Sequence, residues 1–202
     1  VMLDGFTLYH LDHFYGVFSA FNSNSLKHVV LHKGVFDAKF GGRTSSVLEL
    51  SGKQGNFVQP ESNLEVGLLA SSLLIESPIL GKKASMMISA RRSYTDVVFS
   101  PLYKSIFNGI YNSSISGAVS GQADVFGQAK SPDFSFYDVA AKLGFEIKNN
   151  AKLTFSLFSG QDQLQIQYND ITADGRFDLE YNDQSTWGNI GASGKIEKQW
   201  NN

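Results

Sequence analysis

The stretch of sequence that decides the fold runs from residue 137 to residue 147 and reads Tyr137-Asp138-Val139-Ala140-Ala141-Lys142-Leu143-Gly144-Phe145-Glu146-Ile147. Apolar side chains occupy the odd positions, and the charged side chains occupy even ones. Because successive side chains of a strand point to opposite faces, this period of two predicts a strand with one apolar and one polar face. About eleven residues are long for a strand of a soluble protein and typical of the wall of a membrane barrel.

The segments around this strand predict an antiparallel sheet of about six strands over residues 56–202. Tight turns are predicted at 80–83 and 149–151, and long polar loops at about 96–133 and 169–184. Beyond 151 the alternation resumes and changes parity near Gly160, which we interpret as a β-bulge. Short turns at one end of the strands and long loops at the other are typical of outer-membrane barrels. A soluble sandwich with one long loop remains the alternative.

The first 55 residues have a different pattern, which predicts a small α+β unit. Short strands are expected at 1–3, 29–33 and 47–50, and one helical turn at 26–28. Tight backbone turns are expected at Asp4-Gly5 and at Gly41-Gly42, because glycine adopts positive φ without strain.

Composition excludes several classes of protein. The chain has 202 residues, 17 Lys and Arg against 19 Asp and Glu, and no cysteine. This near-neutral charge argues against a nucleic-acid binder, and the missing cysteines exclude a disulfide scaffold, thiol catalysis and cysteine-based zinc sites. No apolar run of about 18 residues is present, which excludes a transmembrane helix but not a transmembrane barrel. With no visible signal peptide, we expect an interior fragment of a longer protein.

No motif in the chain predicts catalysis. The sequence contains no GxSxG, Walker loop, GxGxxG or HExxH. The four histidines form two pairs, His10/His13 and His28/His32, without a recognisable set of carboxylate ligands nearby. We therefore predict no catalytic residue, no cofactor and no metal site, and we interpret the histidines as solvated or interdomain.

Two sets of charged residues receive structural interpretations. We interpret the basic pair Arg91 and Arg92, at the end of a predicted strand, as a rim or salt-bridge pair. The scattered acids are interpreted as solvated loop residues; they are Asp162, Asp170, Asp174 and Asp178.

One stretch carries a more specific signal. Residues 18–22 and 26–50 resemble the end of the plug domain of TonB-dependent outer-membrane receptors. The sequence is most similar to the receptors of Bacteroidetes-type bacteria. That family has a strand ending in a basic residue and glycine, then an aromatic-glycine turn and a passage of small residues into an apolar strand. Residues 1–9 resemble the plug strand with a Leu-Asp-Gly step. The residues that match this plug motif are Asp4, Gly5, Lys33, Gly34, Phe40, Gly41, Gly42 and Arg43.

The downstream half resembles the same family. Residues 68–73 and 76–79 look like the first barrel hairpin, and residues 89–94 look like the third strand. The resemblance implies that residues 1–55 are the C-terminal part of a plug domain. It further implies that residues 56–202 are the first six or so strands of an incomplete, antiparallel transmembrane β-barrel. The odd residues of 137–147 would then face lipid, while Asp138, Lys142 and Glu146 would face the lumen.

The function implied by the resemblance is TonB-dependent import of a scarce nutrient across the outer membrane of a Gram-negative bacterium. The ligand would be a siderophore, cobalamin, glycan or peptide, and the plug would gate the barrel. The implied partners are the inner-membrane TonB complex, acting through a segment outside this sequence, outer-membrane lipid and a surface lipoprotein, with no nucleic acid. The alternative is a soluble or surface all-β carbohydrate-binding module that stacks sugars on Trp187, Tyr168 and Tyr181.

Overall fold

The computed structural model describes residues 1–109, 133–147, 150–171 and 178–199, apart from Tyr15, Val35, Phe36, Arg43, Phe99 and Phe107. The described chain is mainly β, which confirms the predicted fold class at that level. Its strands, in chain order, are β1 (Met2–Leu3), β2 (Phe6–Thr7), β3 (Asp12–His13), β4 (Phe18–Ser19), β5 (Leu26–Lys33), β6 (Ser46–Gly52), β7 (Glu61–Val66), β8 (Ala70–Ile79), β9 (Ala84–Ser93), β10 (Asp133–Ile147), β11 (Ala151–Ile171) and β12 (Asp178–Lys198).

Residues 1–52 form a unit with its own main sheet, which we call the small unit. Its main sheet has the strand order β2-β1-β6-β5, in which β1 runs parallel to β6, and the β3–β4 hairpin lies beside it. The predicted turn after β1 is confirmed. Asp4 and Gly5 have φ values of 48° and 94°, which is the pair of positive angles that a two-residue hairpin turn requires.

The predicted helical turn at 26–28 is wrong, because these residues begin the long strand β5. A 3-10 turn forms three residues earlier, at Ser23–Ser25, where the Asn22 side chain accepts a hydrogen bond from the backbone N–H of Asn24 at 3.1 Å. This capping residue starts the turn, and the following β-branched residues favour extended backbone. The described part of the small unit is therefore β rather than α+β.

The remaining strands form one antiparallel sheet of six described strands in the order β12-β11-β10-β9-β8-β7. Its edges, β7 and β12, do not pair with each other, so the described residues do not form a closed barrel. The turn predicted at 80–83 is confirmed, whereas part of the turn predicted at 149–151 lies outside the described residues.

The polar loop predicted at 169–184 is wrong over most of its length. Strands β11 and β12 have 21 residues each and pair without interruption from Ala151–Lys198 to Ile171–Asp178. Continuous pairing satisfies the backbone of this polar segment, so the strands extend beyond their apolar parts. Of the loop predicted at 96–133, residues 101–106 are helical and Asp133 begins β10; residues 110–132 lie outside the described chain.

The predicted β-bulge near Gly160 is also wrong. Gly160 pairs with Asp138 on one side and Asn189 on the other, in a register that continues on both sides. The change of parity instead reflects apolar side chains on opposite faces of β11, since Leu157 is exposed and Leu164 is buried.

The core lies between the small unit and one face of the sheet, and it has two clusters. The first joins Phe14 of the small unit to Tyr103, Phe134, Phe136 and Leu164 at one end of the sheet. The second packs Leu3, Leu8 and Leu50 of the small unit against Phe158 of β11. Both clusters hold the small unit against the same face of the sheet.

Glycine at position 191 allows the small unit to approach strand β12. A Cβ atom added there would lie 2.3 Å from the Phe6 ring, whereas one added at Gly194 would have the Phe155 ring as its nearest neighbour, at 3.6 Å. We expect Gly191→Ala to lower the free energy of unfolding by about 1–3 kcal/mol through overpacking. Gly194→Ala, the matched control in the same strand, should be neutral or slightly stabilising.

Urea unfolding of the purified protein would measure both effects. Adding Phe6→Ala to Gly191→Ala removes the clash, so the two substitutions should be non-additive. Additive effects, or equal effects of the two alanines, would contradict this packing.

Candidate functional site

The outward face of the six-stranded sheet is apolar and exposed; we call it the apolar face. Its large side chains are 38% to 88% exposed, and the register of the strands places them side by side in rows. One row runs Ile75, Ile88, Ala141, Leu157 and Ala192 across β8 to β12. Eight of the exposed members of the face are Leu73, Ile88, Val139, Leu143, Phe155, Leu157, Ile190 and Ile196.

The opposite face of the sheet is polar at its centre and buried against the small unit. The polar side chains buried there are Ser85, Ser89, Asp138, Lys142, Thr154, Ser156 and Asp162. The prediction that the even residues of 137–147 share a face is confirmed by the unbroken register of β10; Asp138 and Lys142 are buried on that face, and Glu146 is exposed on it. Apolar residues such as Met87 and Phe158 are buried on this face as well. The sheet thus differs from a soluble antiparallel sheet in that its uncovered face is apolar rather than polar.

Four charged or titratable side chains meet in this interface: His13, Arg91, Asp138 and Asp162, which we call the His13 cluster. His13 Nδ1 lies 2.9 Å from both carboxylate oxygens of Asp162, and His13 Nε2 lies 3.6 Å from Asp138 Oδ2. Arg91 Nε donates to Asp138 Oδ2 at 2.6 Å, and Arg91 Nη2 donates to the carbonyl oxygen of Ser19 at 2.6 Å. Three strands of the sheet therefore contact the β3–β4 hairpin through charged groups.

The surroundings of His13 favour its charged form. Burial by itself lowers the pKa of His13, but the hydrogen bond to Asp162 and the nearby negative charges of Asp138 and Asp162 raise it, so that the net shift is upward. The imidazole also stacks on the Phe136 ring, with 4.2 Å between ring centroids, and Arg91 lies over the same ring at 5.0 Å. This stacking fixes the plane of the imidazole so that each ring nitrogen faces a carboxylate.

Lys142 makes a second charged contact between the sheet and the small unit. Its Nζ donates to Asp4 Oδ1 at 2.6 Å and to the carbonyl oxygen of Gly52 at 2.9 Å. Asp4 Oδ1 also accepts from the Gly52 N–H at 3.1 Å, so one carboxylate ties the β1–β2 turn to both β6 and β10. Gly52 leaves room for this contact, since a Cβ there would lie 3.2 Å from Lys142 Nζ.

Neutral hydrogen bonds extend the interface to strands β9 and β12. Asn22 Nδ2 donates to Ser89 Oγ at 3.0 Å, and Asn189 Nδ2 donates to the His10 carbonyl oxygen at 2.6 Å. Trp187 Nε1 donates to His10 Nε2 at 2.6 Å. His10 and His13 are therefore interdomain histidines, one of the two roles predicted for them.

The residues of the predicted plug motif have different environments. Asp4 and Gly5 form the turn that meets Lys142, and Gly34 and Gly42 have the positive φ values of 77° and 72°. Phe40 is buried and packs against His32, with 4.9 Å between ring centroids. Lys33 and Gly41 are exposed, and Arg43 lies outside the described residues.

The predicted basic pair separates into two roles. Arg91 points into the interface, while Arg92 points away from it, is 58% exposed and contacts Asp96 Oδ2 at 2.8 Å. The salt-bridge interpretation is confirmed for both, but only Arg91 belongs to the buried site.

Sequence reasoning missed three residues of this site. Asp162 was interpreted as solvated, yet it is completely buried. His13 belongs to a histidine pair and Lys142 is a charged residue at an even position, so both could be noticed in the sequence. Neither feature indicates which residue they contact. Their partners are 149 and 138 positions away in the chain.

Among the described residues, no group of three or more His, Asp or Glu side chains is arranged to hold a metal ion. No helix in the same part of the chain is long and apolar enough to cross a membrane. Comparison with protein-family models, curated proteins and solved structures found no match to this chain.

The two neighbouring arginines provide a test of the buried charges. We expect Arg91→Gln to lower the free energy of unfolding by about 3–5 kcal/mol, because it leaves Asp138 buried without its guanidinium. Arg92→Gln, its matched control, should cost about 1 kcal/mol or less, since that ion pair is exposed to solvent. Urea unfolding of both variants checks the difference, and equal losses would show that burial of the Arg91 pair does not matter.

Proposed function

We propose that this chain is part of a TonB-dependent outer-membrane receptor that imports a scarce nutrient. In this proposal the small unit is the C-terminal part of the plug, and strands β7 to β12 are part of the barrel wall. The observation that carries the proposal is the exposed apolar face of the sheet, opposite a covered face that buries charged side chains.

Water is a poor solvent for such a face. Burial of apolar surface contributes about 25 cal/mol per Å² to stability, and monomeric soluble proteins rarely expose apolar patches of more than a few hundred Å². Eight side chains of the apolar face lie next to one another on adjacent strands. Lipid chains would cover this face without requiring any polar partner.

The charged residues between Tyr137 and Ile147 of β10 lie on the face opposite the apolar face. Along β10, Asp138 and Lys142 face the small unit, while the apolar face between Tyr137 and Ile147 carries no charge. At roughly 3.3 Å per residue this band extends about 33 Å along the strand. At the usual strand tilt of about 40° it would span about 25 Å, the height of the apolar band of outer-membrane barrels.

The polar contacts of the small unit fit a plug in a barrel lumen. It meets the sheet through the His13 cluster and Lys142 as well as through apolar packing. Barrels of about 22 strands enclose a lumen that side chains alone do not fill, and a globular plug occupies it. Six strands are too few to enclose the small unit, so the proposed barrel needs further strands to pair with β7 and β12.

Transport in this proposal needs no catalytic residue and no cofactor. A siderophore, cobalamin, glycan or peptide would bind from outside, with or without a surface lipoprotein. The inner-membrane TonB complex would supply the energy that rearranges the plug. The carbohydrate-binding alternative is less favoured, because the Trp187 ring packs against the buried cluster around Phe14 and its indole N–H donates to His10, so the ring lies in the interface rather than on an open surface.

The experiment that tests the proposal is localisation of the native protein. An antibody raised against this segment would be applied to membrane fractions, and gel mobility would be compared before and after heating. We expect a band well above 22.2 kDa in the outer membrane whose mobility changes on heating, because a folded barrel resists detergent. A soluble band near 22 kDa would refute the proposal.

A substitution on the apolar face gives a second test. Leu157 lies in the middle of the row across β8 to β12, so Leu157→Arg should lower the free energy of unfolding by about 2–4 kcal/mol if lipid covers it. In water the same substitution at this exposed site should change stability by no more than about 0.5 kcal/mol.

The control for this test is Val58→Arg, at an exposed position outside the strands, which should be neutral in either case. Unfolding would be measured after reconstitution into lipid vesicles. Equal stability of the two arginine variants would contradict a lipid-facing surface.

A further inference from the structure

The His13 cluster is enclosed by residues from both parts of the molecule. His13 and Asp138 are only 2% and 1% exposed, and Asp162 is 0% exposed. The imidazole comes from β3 of the small unit, whereas its charged neighbours come from β9, β10 and β11 of the sheet. The protonation state of one imidazole therefore acts directly on the contact between the two parts.

Geometry distinguishes the two protonation states of this imidazole. Each ring nitrogen faces a carboxylate, Nδ1 at 2.9 Å from Asp162 and Nε2 at 3.6 Å from Asp138. Protonated histidine has an N–H on both nitrogens, whereas neutral histidine has only one. In the neutral form, one nitrogen lone pair would therefore point at a buried carboxylate.

The net charge of the cluster also favours the protonated form of His13. Two carboxylates face one guanidinium, that of Arg91, so the cluster has a net charge of −1 when His13 is neutral and zero when it is protonated. The other titratable groups nearby are His10, whose Nε2 lies 3.6 Å from Asp162 Oδ2 and accepts the Trp187 N–H, and Asp12, which accepts the Gly16 N–H. A buried uncompensated charge is strongly destabilising.

We propose that His13 is a proton-operated latch, whose protonated imidazole bridges Asp138 and Asp162 and holds the small unit against the sheet. Loss of the proton removes one of the two bridges and leaves the cluster with a net charge. The latch does not require the sheet to lie in a membrane, so it goes beyond the proposed transport function. Either proposal can be refuted without refuting the other.

The direction of the pH effect follows from the raised pKa of His13. The stabilisation is fully present below the unfolded-state pKa of about 6.5 and is lost as pH rises through the higher folded-state pKa. Between these two values, the equilibrium constant for release of the small unit should increase about tenfold per pH unit, which is the slope for one proton.

The test uses the complete native polypeptide with one engineered cysteine; residues 1–202 contain no other, and any cysteine elsewhere in the polypeptide would be replaced by serine. A pH-insensitive fluorophore on Ser23→Cys, an exposed position of the small unit, would report its unfolding in urea at several pH values from 5.5 to 8.5. In the wild type, we expect the equilibrium constant for release of the small unit to rise with pH. In the His13→Gln variant, this constant should no longer rise with pH. His28→Gln, which removes an exposed histidine, should keep the wild-type slope.

A second variant keeps the latch testable if His13→Gln does not fold. Asp162→Asn leaves His13 in place but removes one carboxylate, so the pH range of the rise should move downward. The proposal is overturned if wild type shows no rise, if His13→Gln keeps the rise, or if Asp162→Asn leaves its pH range unchanged.

Discussion

The structure depends on the placement of charged side chains between the small unit and the sheet. Asp138, Asp162 and Lys142 would each be costly to bury alone. Asp162 and Lys142 are paired across the interface with His13 and Asp4, and Asp138 is paired with Arg91 of the neighbouring strand. Hydrogen bonds from Asn22 and Asn189 satisfy further polar groups beside them. Because every partner lies on a different element, the small unit can bury these groups only when all the elements are correctly assembled.

Such contacts give specificity more than stability. Apolar packing at Leu50 and Phe158 would tolerate small displacements of the small unit, because dispersion contacts have little directionality. A displacement that separated Lys142 from Asp4 would leave an ammonium group buried without a partner. We infer that the polar contacts select one orientation of the small unit on the sheet, and that this orientation in turn leaves the opposite, apolar face uncovered.

The sheet is not uniformly divided into polar and apolar sides. At one end, Phe134, Phe136 and Leu164 face inward and pack on Phe14, so that this end has a conventional apolar core. In the middle of the strands the inward positions combine buried polar groups with Met87 and Phe158, and the outward ones are apolar. This change of side along β11 looks like a bulge in the sequence, yet it needs no irregularity of the backbone, because a different part of the molecule covers each segment of the strand.

The sequence by itself determined the β class, the Asp4-Gly5 turn, the tight turn at 80–83 and the two faces of residues 137–147. These features depend on local rules, namely the period of two and the conformational freedom of turn residues. Only the tertiary structure decided that Arg91 points into the interface while Arg92 is exposed, that Asp162 is a buried partner of His13, and that β11 and β12 continue through polar sequence. The physical reason is distance along the chain: alternation determines the side on which a residue lies, but the group opposite it comes from an element up to 149 positions away.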